Sequence, residues 1–353
     1  MTTSVSEFLK LGGCEVLEVR REGRVEVIEG RVVKAEAPSC PHCGRERMWR
    51  HGKRKRRISH APYDDTRVDL LVTFDRWRCP DCGRTYTPEL AVAARRARLS
   101  NALKDFIAGI IRAMRGCVAS VAKWVHVSWG AVWRVLERAR PWIPANVKDL
   151  CIDEVFFRQP HKFFTILSDA DGARVVAVAS GRGYKAAKDA LSQLPADVRR
   201  LVDTLATDFC KGHKTAAYEM LQGVTVVADR FHLQRLAREA VRAASKEDRE
   251  RALVCVRELK AILRQGGPEA VKALSEWVRA FSREKGELAS LVALVDDWQP
   301  EIWAYLLTRC SNGVAEAINR KISLLRRNAC GYTNPANFIR RILLLNPPLH
   351  PES

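Results

Sequence analysis

The chain has 353 residues, 47% of them hydrophobic and 29% charged, which excludes a wholly disordered polymer and a membrane-embedded bundle. No apolar run approaches the roughly 20 residues that cross a bilayer. The N-terminal Met1-Thr-Thr-Ser-Val-Ser-Glu lacks the basic and apolar stretches of a secretory signal, so a cytoplasmic protein of two or three domains is expected. A formal charge of +19 calls for a polyanionic partner, nucleic acid first.

The charge excess is uneven: residues 1–150 carry 29 Lys and Arg against 17 Asp and Glu. Its densest run, Lys53-Arg54-Lys55-Arg56-Arg57, lies between two cysteine pairs, Cys40-Pro-His-Cys43-Gly44 and Cys79-Pro-Asp-Cys82-Gly83. Each pair can turn two thiolates toward one cation, and two such knuckles make a closed tetrahedral zinc site. The segment from Arg67 to Trp77 alternates like a strand, so residues 38–95 read as a zinc ribbon behind an N-terminal segment, 1–37. His42, His51 or His60 could replace a cysteine as ligand. Zinc is expected to supply folding energy that so small a module lacks, and the basic run is a candidate DNA contact. The other seven of the 11 cysteines are scattered singly and read as small buried hydrophobes.

A helix from Ser100 to Met114, capped by Ser100 or Asn101, carries Leu103, Phe106, Ile107, Ile110 and Ile111 at helical spacing. Cys117–Val125 forms a short second helix. His126-Val127 is a turn, and Ser128 caps a third helix through Arg140, stopped by Pro141. This is helix-turn-helix order over 98–142, which would place Ser128, Trp129, Arg134 and Arg138 near a DNA groove. Trp129 and Trp133 stand one turn apart, so at least one belongs to the core. Pro141 and Pro144 read as a linker.

Strands follow: Leu150–Phe157, Phe163–Ser168 and Arg174–Ala179; then a helix, Tyr184–Leu194; then strands Leu201–Thr207 and Val224–Ala228. Three hairpin-linked strands, a helix, then strand, helix and strand is the order of an RNase H-like domain, here 147–345. Its first strand lies beside its fourth, so Asp153 and Asp208 become neighbours at about the 4.8 Å strand spacing, suited to sharing a pair of metal ions. Paired acids at strand ends are also ordinary turn formers, and a third carboxylate should come from a later helix. A helical tract of about 247–307, broken at Gly266-Gly267-Pro268, precedes a helix opening at Ser311-Asn312-Gly313, with Glu316 in its first turn. Glu154 alternates to the opposite face and should not reach the metals. Asp229 competes with Asp208 but lies one strand further from Asp153. Asp203 is assigned no role.

The assembly resembles the ISL3 family of insertion-sequence transposases over nearly the whole chain. The motifs that carry the resemblance are the ribbon, the helix-turn-helix, Ile-Asp153-Glu, Thr-Asp208-Phe, Asp229-Arg-Phe-His232 and Asn312-Gly-Val-Ala-Glu316-Ala-Ile-Asn319. The strings Arg326–Tyr332 and Asn337–Ile342 look like the family's C-terminal block. The resemblance implies a catalytic DDE triad of Asp153, Asp208 and Glu316, with the helical insertion before the glutamate. Asp229, His232, Asn312 and Asn319 would support it. It also implies two catalytic Mg²⁺, with Mn²⁺ as substitute, beside the structural Zn²⁺. The expected activity is cleavage at terminal inverted repeats of double-stranded DNA and 3′-OH strand transfer into target DNA. Pairing two ends implies at least a homodimer on DNA, and the location would be cytoplasmic, at the nucleoid. The alternatives are a non-catalytic or domesticated DNA-binding regulator on the same scaffold, or a nuclease without strand transfer.

Overall fold

The computed structural model describes residues 11, 13–33, 37–113, 117–139, 145–158, 162–329 and 332–345. The N-terminal signal reading, the Pro141 and Pro144 linker and part of the Arg326–Tyr332 string lie outside them. The chain divides into two compact units, Met1–Arg140 and Pro141–Ser353.

In the first unit, β1 (Cys14–Glu22) and β2 (Val25–Val32) form a hairpin, as do β3 (Trp49–Tyr63) and β4 (Thr66–Arg78). β2 pairs parallel to β4, giving the order β1-β2-β4-β3, and the short β5 (Thr85–Tyr86) closes back on β4. Alternation along β4 turns Val68, Leu70, Val72 and Phe74 into one core with Ile28, Ile58 and Leu90. The zinc knuckles therefore sit at one end of a sheet with its own apolar core. The segment before Cys40 adds two strands, so the sheet and its apolar core extend beyond the cysteine-bearing segment.

At the knuckles the backbone repeats itself. Cys40 N donates to Arg45 O and Gly44 N to Cys40 O; Cys79 N donates to Arg84 O and Gly83 N to Cys79 O. Gly44 and Gly83, at φ +76° and +66°, take the left-handed turn this requires. Cys40 and Cys82 sulfurs lie 3.7 Å apart, Cys43 and Cys79 sulfurs 3.5 Å. A tetrahedron with Zn–S near 2.3 Å needs S···S of about 3.8 Å. Backbone N–H of His42 lowers the Cys40 thiol to about 7. Against the Arg45 N–H, the sulfurs around Cys43, Cys79 foremost, push it up to about 12. Four crowded sulfurs resist joint ionisation unless a cation joins them, so the donor set fits zinc. The histidines do other things: His60 is buried and shares a 2.9 Å hydrogen bond with Ser100 Oγ, and His42 lies 3.2 Å from Arg84.

The three helices α1 (Asn101–Arg112), α2 (Val118–Trp124) and α3 (Trp129–Arg138) complete this unit. Ser100 caps α1 through Leu103 N, and Ser128 caps α3 through Ala131 N. Trp133 is buried and Trp129 is 53% exposed, which divides the tryptophan pair into core and surface. The helices are seated on the ribbon: Ser100 N donates to Ser59 O, and Trp124 Nε1 donates to Asp65 on the β3–β4 turn at 2.9 Å.

In the second unit, β6 (Asp149–Arg158), β7 (Lys162–Asp169) and β8 (Arg174–Ser180) are antiparallel; β9 (Thr204–Thr207) and β10 (Thr225–Ala228) run parallel to β6, in the order β10-β9-β6-β7-β8. This mixed sheet is the expected RNase H-like arrangement. β9 starts later than expected because Ala196–Arg199 is a helical turn (α5), which Leu201 N closes onto Val198 O. One face packs on α4 (Gly183–Ser192) and α6 (Lys211–Met220) through small residues such as Ala186, Ala190 and Ala217. The other face packs on helices α7 (Arg230–Ala243), α8 (Arg249–Gln265), α9 (Gly267–Phe281), α10 (Gly286–Asp297) and α11 (Gln299–Thr308). Cys151, Ala206 and Val227 share one core with Leu259, Trp277, Trp298 and Tyr305. The helical insertion is thus a layer of the catalytic fold and not an appended lobe. The helices α12 (Gly313–Asn328) and α13 (Pro335–Leu343) finish the unit.

Chelating the zinc should release the knuckles and spare the sheet. Hydrogen exchange should show protection lost at residues 40–49 and 77–86 and kept at Ile58, Leu70 and Val72. Loss at all positions together would show that the metal holds the entire sheet.

Candidate active site

Ile152 of β6 lies opposite Thr207 of β9, so the following residues, Asp153 and Asp208, leave the parallel ladder side by side. β10 ends in register at Ala228, which puts Asp229 one strand further out. The carboxyl ends of adjacent parallel strands are where open α/β sheets bind ligands. Asp153 Oδ1 accepts from Glu154 N, and Oδ2 from Asn319 Nδ2, both at 2.7 Å. The second bond draws α12 to the strand. Burial, together with the Asp208 and Asp229 charges, pushes the Asp153 carboxyl up to about 6.

Glu316 stands one turn before Asn319 on α12, in the first turn, half-exposed and 3.6 Å from Arg320. Its charge is felt at Asp229, whose carboxyl is raised chiefly by burial. Asp229 caps α7 with both oxygens, accepting from Phe231 N and His232 N at 3.1 and 3.2 Å. Asp208 has partners of its own, Thr207 Oγ1 and His213 Nδ1, both at Oδ1. His232 is lowered by burial and by Arg235, whose guanidinium lies 2.9 Å from Nε2. Asn312 is buried; its carbonyl receives Glu316 N, and its side-chain Oδ1 has no hydrogen-bond partner among the described residues. Asp153, Asp208 and Glu316 are not gathered into one tight cluster. Among the described residues, the groups whose donor atoms all lie within 4.8 Å are the four cysteines and Glu154, Cys210 and His213.

The second group holds the residue that reading the sequence missed. His213, on α6, is fully buried, with Nδ1 at 3.0 Å from Thr207 Oγ1 and 3.2 Å from Asp208 Oδ1. Its Nε2 faces Glu154 Oε1 at 3.4 Å. Against the penalty of burial, Asp208, Cys210 and Glu154 hold the imidazole up to about 11, so it is the cation between two carboxylates. Despite its own burial, Asp208 is lowered by this partner. Glu154, on the opposite face from Asp153, also receives Gly183 N at 2.9 Å. The available signal was Cys210-Lys-Gly-His213, which follows Asp208 closely at the start of the next helix.

The expected DNA-contacting residues have varied employments. Lys55 is paired with Glu29 at 2.6 Å, and Arg57 with Asp69 at 2.7 Å and Glu22 at 3.1 Å. Arg56 reaches the Ala93 and Ala94 carbonyls. Lys53 and Arg54 are exposed, with no carboxylate partner among the described residues. Ser128 spends its hydroxyl on the cap of α3. A cavity of about 700 Å³ beside α3 gathers Arg96, Arg98, Lys104, Arg112, Arg134 and Arg138 against one acid, Asp105. No described helix is long and apolar enough to cross a membrane.

Comparison with known proteins matches all three regions in order. The ISL3 DDE transposase family, described as "Transposase", matches residues 150–258 and 243–342, more than half the chain. The "zinc-finger of transposase IS204/IS1001/IS1096/IS1165" matches 36–82, and the "Helix-turn-helix domain of transposase family ISL3" matches 89–140. The transposase for insertion sequence element IS1001 of Bordetella parapertussis is 23% identical, with 87% of this chain and 88% of that protein covered. The transposase for IS1557 of Mycobacterium tuberculosis is 22% identical, covering 86% and 85%. A chain in the simian T-cell lymphotropic virus intasome with PP2A subunit B56 gamma aligns over 54% of this chain and 67% of its own, at 10% identity and a TM-score of 0.19, too low to bear on the fold. With ribbon, helix-turn-helix and catalytic segments matched in sequence order, the chain belongs to the ISL3 family of insertion-sequence transposases.

Proposed function

We propose that this transposase cuts the ends of its element and joins the freed 3′ ends to target DNA at a divalent-cation site formed by Asp153, Asp208 and Glu316. The observation that supports the reading is the Asn319–Asp153 hydrogen bond, which ties the helix that carries Glu316 to the strand whose Asp153 follows the residue paired with Thr207. A carboxylate pushed up to about 6 by burial and by its neighbours is short of positive charge, and hard oxygen donors suit Mg²⁺ or Mn²⁺. Two such ions, when bound, supply Lewis-acid stabilisation for the entering and leaving oxygens of phosphodiester exchange.

The chain's own residues prepare for this. Asn319 holds Oδ2 of Asp153, and His213 fixes Oδ1 of Asp208, so each carboxylate keeps one orientation. Asp229 keeps α7 seated at the edge of the site. Water serves as nucleophile for the first cut, and the resulting 3′-hydroxyl serves for joining, with no covalent enzyme intermediate. The basic cavity beside α3, with Lys53 and Arg54 of the ribbon, would hold the terminal inverted repeats. Bringing two ends together calls for a homodimer assembled on DNA.

Asp208→Asn, Asp153→Asn and Glu316→Gln should each reduce strand cleavage of an end-bearing duplex by at least about a thousandfold while leaving binding intact. Normal cleavage by Asp208→Asn would refute the triad. Binding without cleavage by the unmodified protein would favour a regulator, and cleavage without joined product a nuclease.

Proton and cation should compete at Asp153. Its folded value lies above the ordinary 3.8, so the folded state keeps a proton that the unfolded chain loses. The stability this confers is therefore lost as the pH rises from about 4 to about 6. Added Mg²⁺ should raise the melting temperature at about pH 7.5 and have little effect at about pH 5. An equal rise at both would show that Asp153 is not a ligand.

At the reader, Arg134→Ala combined with Arg98→Ala should weaken binding to any duplex and lower the salt slope by about 2, roughly 1 per lost phosphate contact. An unchanged slope would place the DNA elsewhere.

A further inference from the structure

The helical layer carries a second basic groove, of about 520 Å³, between α7 and α8. Arg238 and Arg242 line it from α7, and Arg257, Lys260 and Arg264 from α8; no acidic side chain lines it. None of the five has an ion pair among the described residues, whereas nearby cations do: Arg251 with Glu284, Lys272 with Glu269 and Arg235 with Glu239. Among the described residues, the one side-chain hydrogen bond these five make is from Arg264 to the Lys260 carbonyl of its own helix.

Spacing organises the charge. Positions 257, 260 and 264 fall on one helix face, over about 10 Å of axis. Arg238 and Arg242 are one turn apart on the facing helix. A row of this length is on the scale of two or three successive phosphates of one DNA strand. Five unpaired cations repel one another in the free protein and contribute nothing to the fold that neutral residues would not. Leu253, 52% exposed at the groove, adds an apolar surface under the arginine stems.

We propose that this groove is a DNA-backbone site where the helical insertion meets α7, separate from the helix-turn-helix and indifferent to base sequence. The proposal rests on the transposase reading. It gives the insertion a role in holding DNA beyond the recognised ends.

The test uses the full chain and a random-sequence duplex, since phosphate contacts carry no sequence information. Replacing Arg257→Gln, Lys260→Gln and Arg264→Gln should lower the slope of log affinity against log salt by about 2.7, or 0.9 per contact. Lys272→Gln, on the neighbouring helix, should leave it unchanged. An unaltered slope in the folded triple variant overturns the proposal. If that variant melts early, the unmodified protein decides. Arginine and lysine modification read by mass spectrometry should show residues 238, 242, 257, 260 and 264 protected by the duplex. Absent protection, or protection by inorganic phosphate and not by duplex, overturns it. Cleavage of an end-bearing duplex is scored in parallel, so activity with no groove footprint refutes this site alone and leaves the catalytic reading standing.

Discussion

Three aspartates stand where the parallel pairing of three adjacent strands stops, and holding their carboxylates in a partly dry setting is the constraint the second unit has to meet. Asp153, Asp208 and Asp229 follow Ile152, Thr207 and Ala228 in a common register, so the sheet cannot form without crowding them. Each has a different compensation. Asp229 accepts two backbone N–H groups at the start of α7, and Asp208 takes the buried His213 cation. Asp153 has a backbone N–H and the Asn319 amide, both neutral, and is the one raised to about 6. The residual imbalance at Asp153 marks where added positive charge would be most stabilising.

The same constraint explains the layering. His213 reaches Asp208 from the α4/α6 face of the sheet, and Asn319 reaches Asp153 from α12. The helical insertion occupies the face that Cys151, Ala206 and Val227 present, sharing one core with them. The insertion is therefore one layer of the second unit. Its outer surface, with α7, carries the unpaired basic groove.

The DNA-reading unit follows a different logic. Its zinc knuckles are local, since each is a short turn with its own hydrogen bonds and a left-handed glycine. The sheet behind them is not local: β2 joins β4 in parallel across more than 30 residues of chain. Two of the five residues of the basic run on β3 are absorbed in holding that sheet, with Lys55 and Arg57 bonded to Glu29, Glu22 and Asp69. A block of like charge in a sequence is therefore not one surface in the fold. Alternation sends neighbouring residues to opposite faces, and acids on adjacent strands claim some of them.

The sequence by itself determined the elements whose signals are local. Strand alternation, Ser100 and Ser128 as caps, two Cys-x-x-Cys turns and the strand order that pairs Asp153 with Asp208 were all legible. Local signals suffice there because backbone geometry and side-chain periodicity act over a few residues. What only the tertiary structure decided were matches between distant surfaces: Trp133 as core and Trp129 as surface, Cys14–Glu22 and Val25–Val32 as strands of the ribbon sheet, and His213 between Glu154 and Asp208. These depend on which faces meet when loops close, and on how burial makes a charge seek its partner. No window of sequence carries that information, because the low dielectric that forces the pairing exists only after the chain has folded.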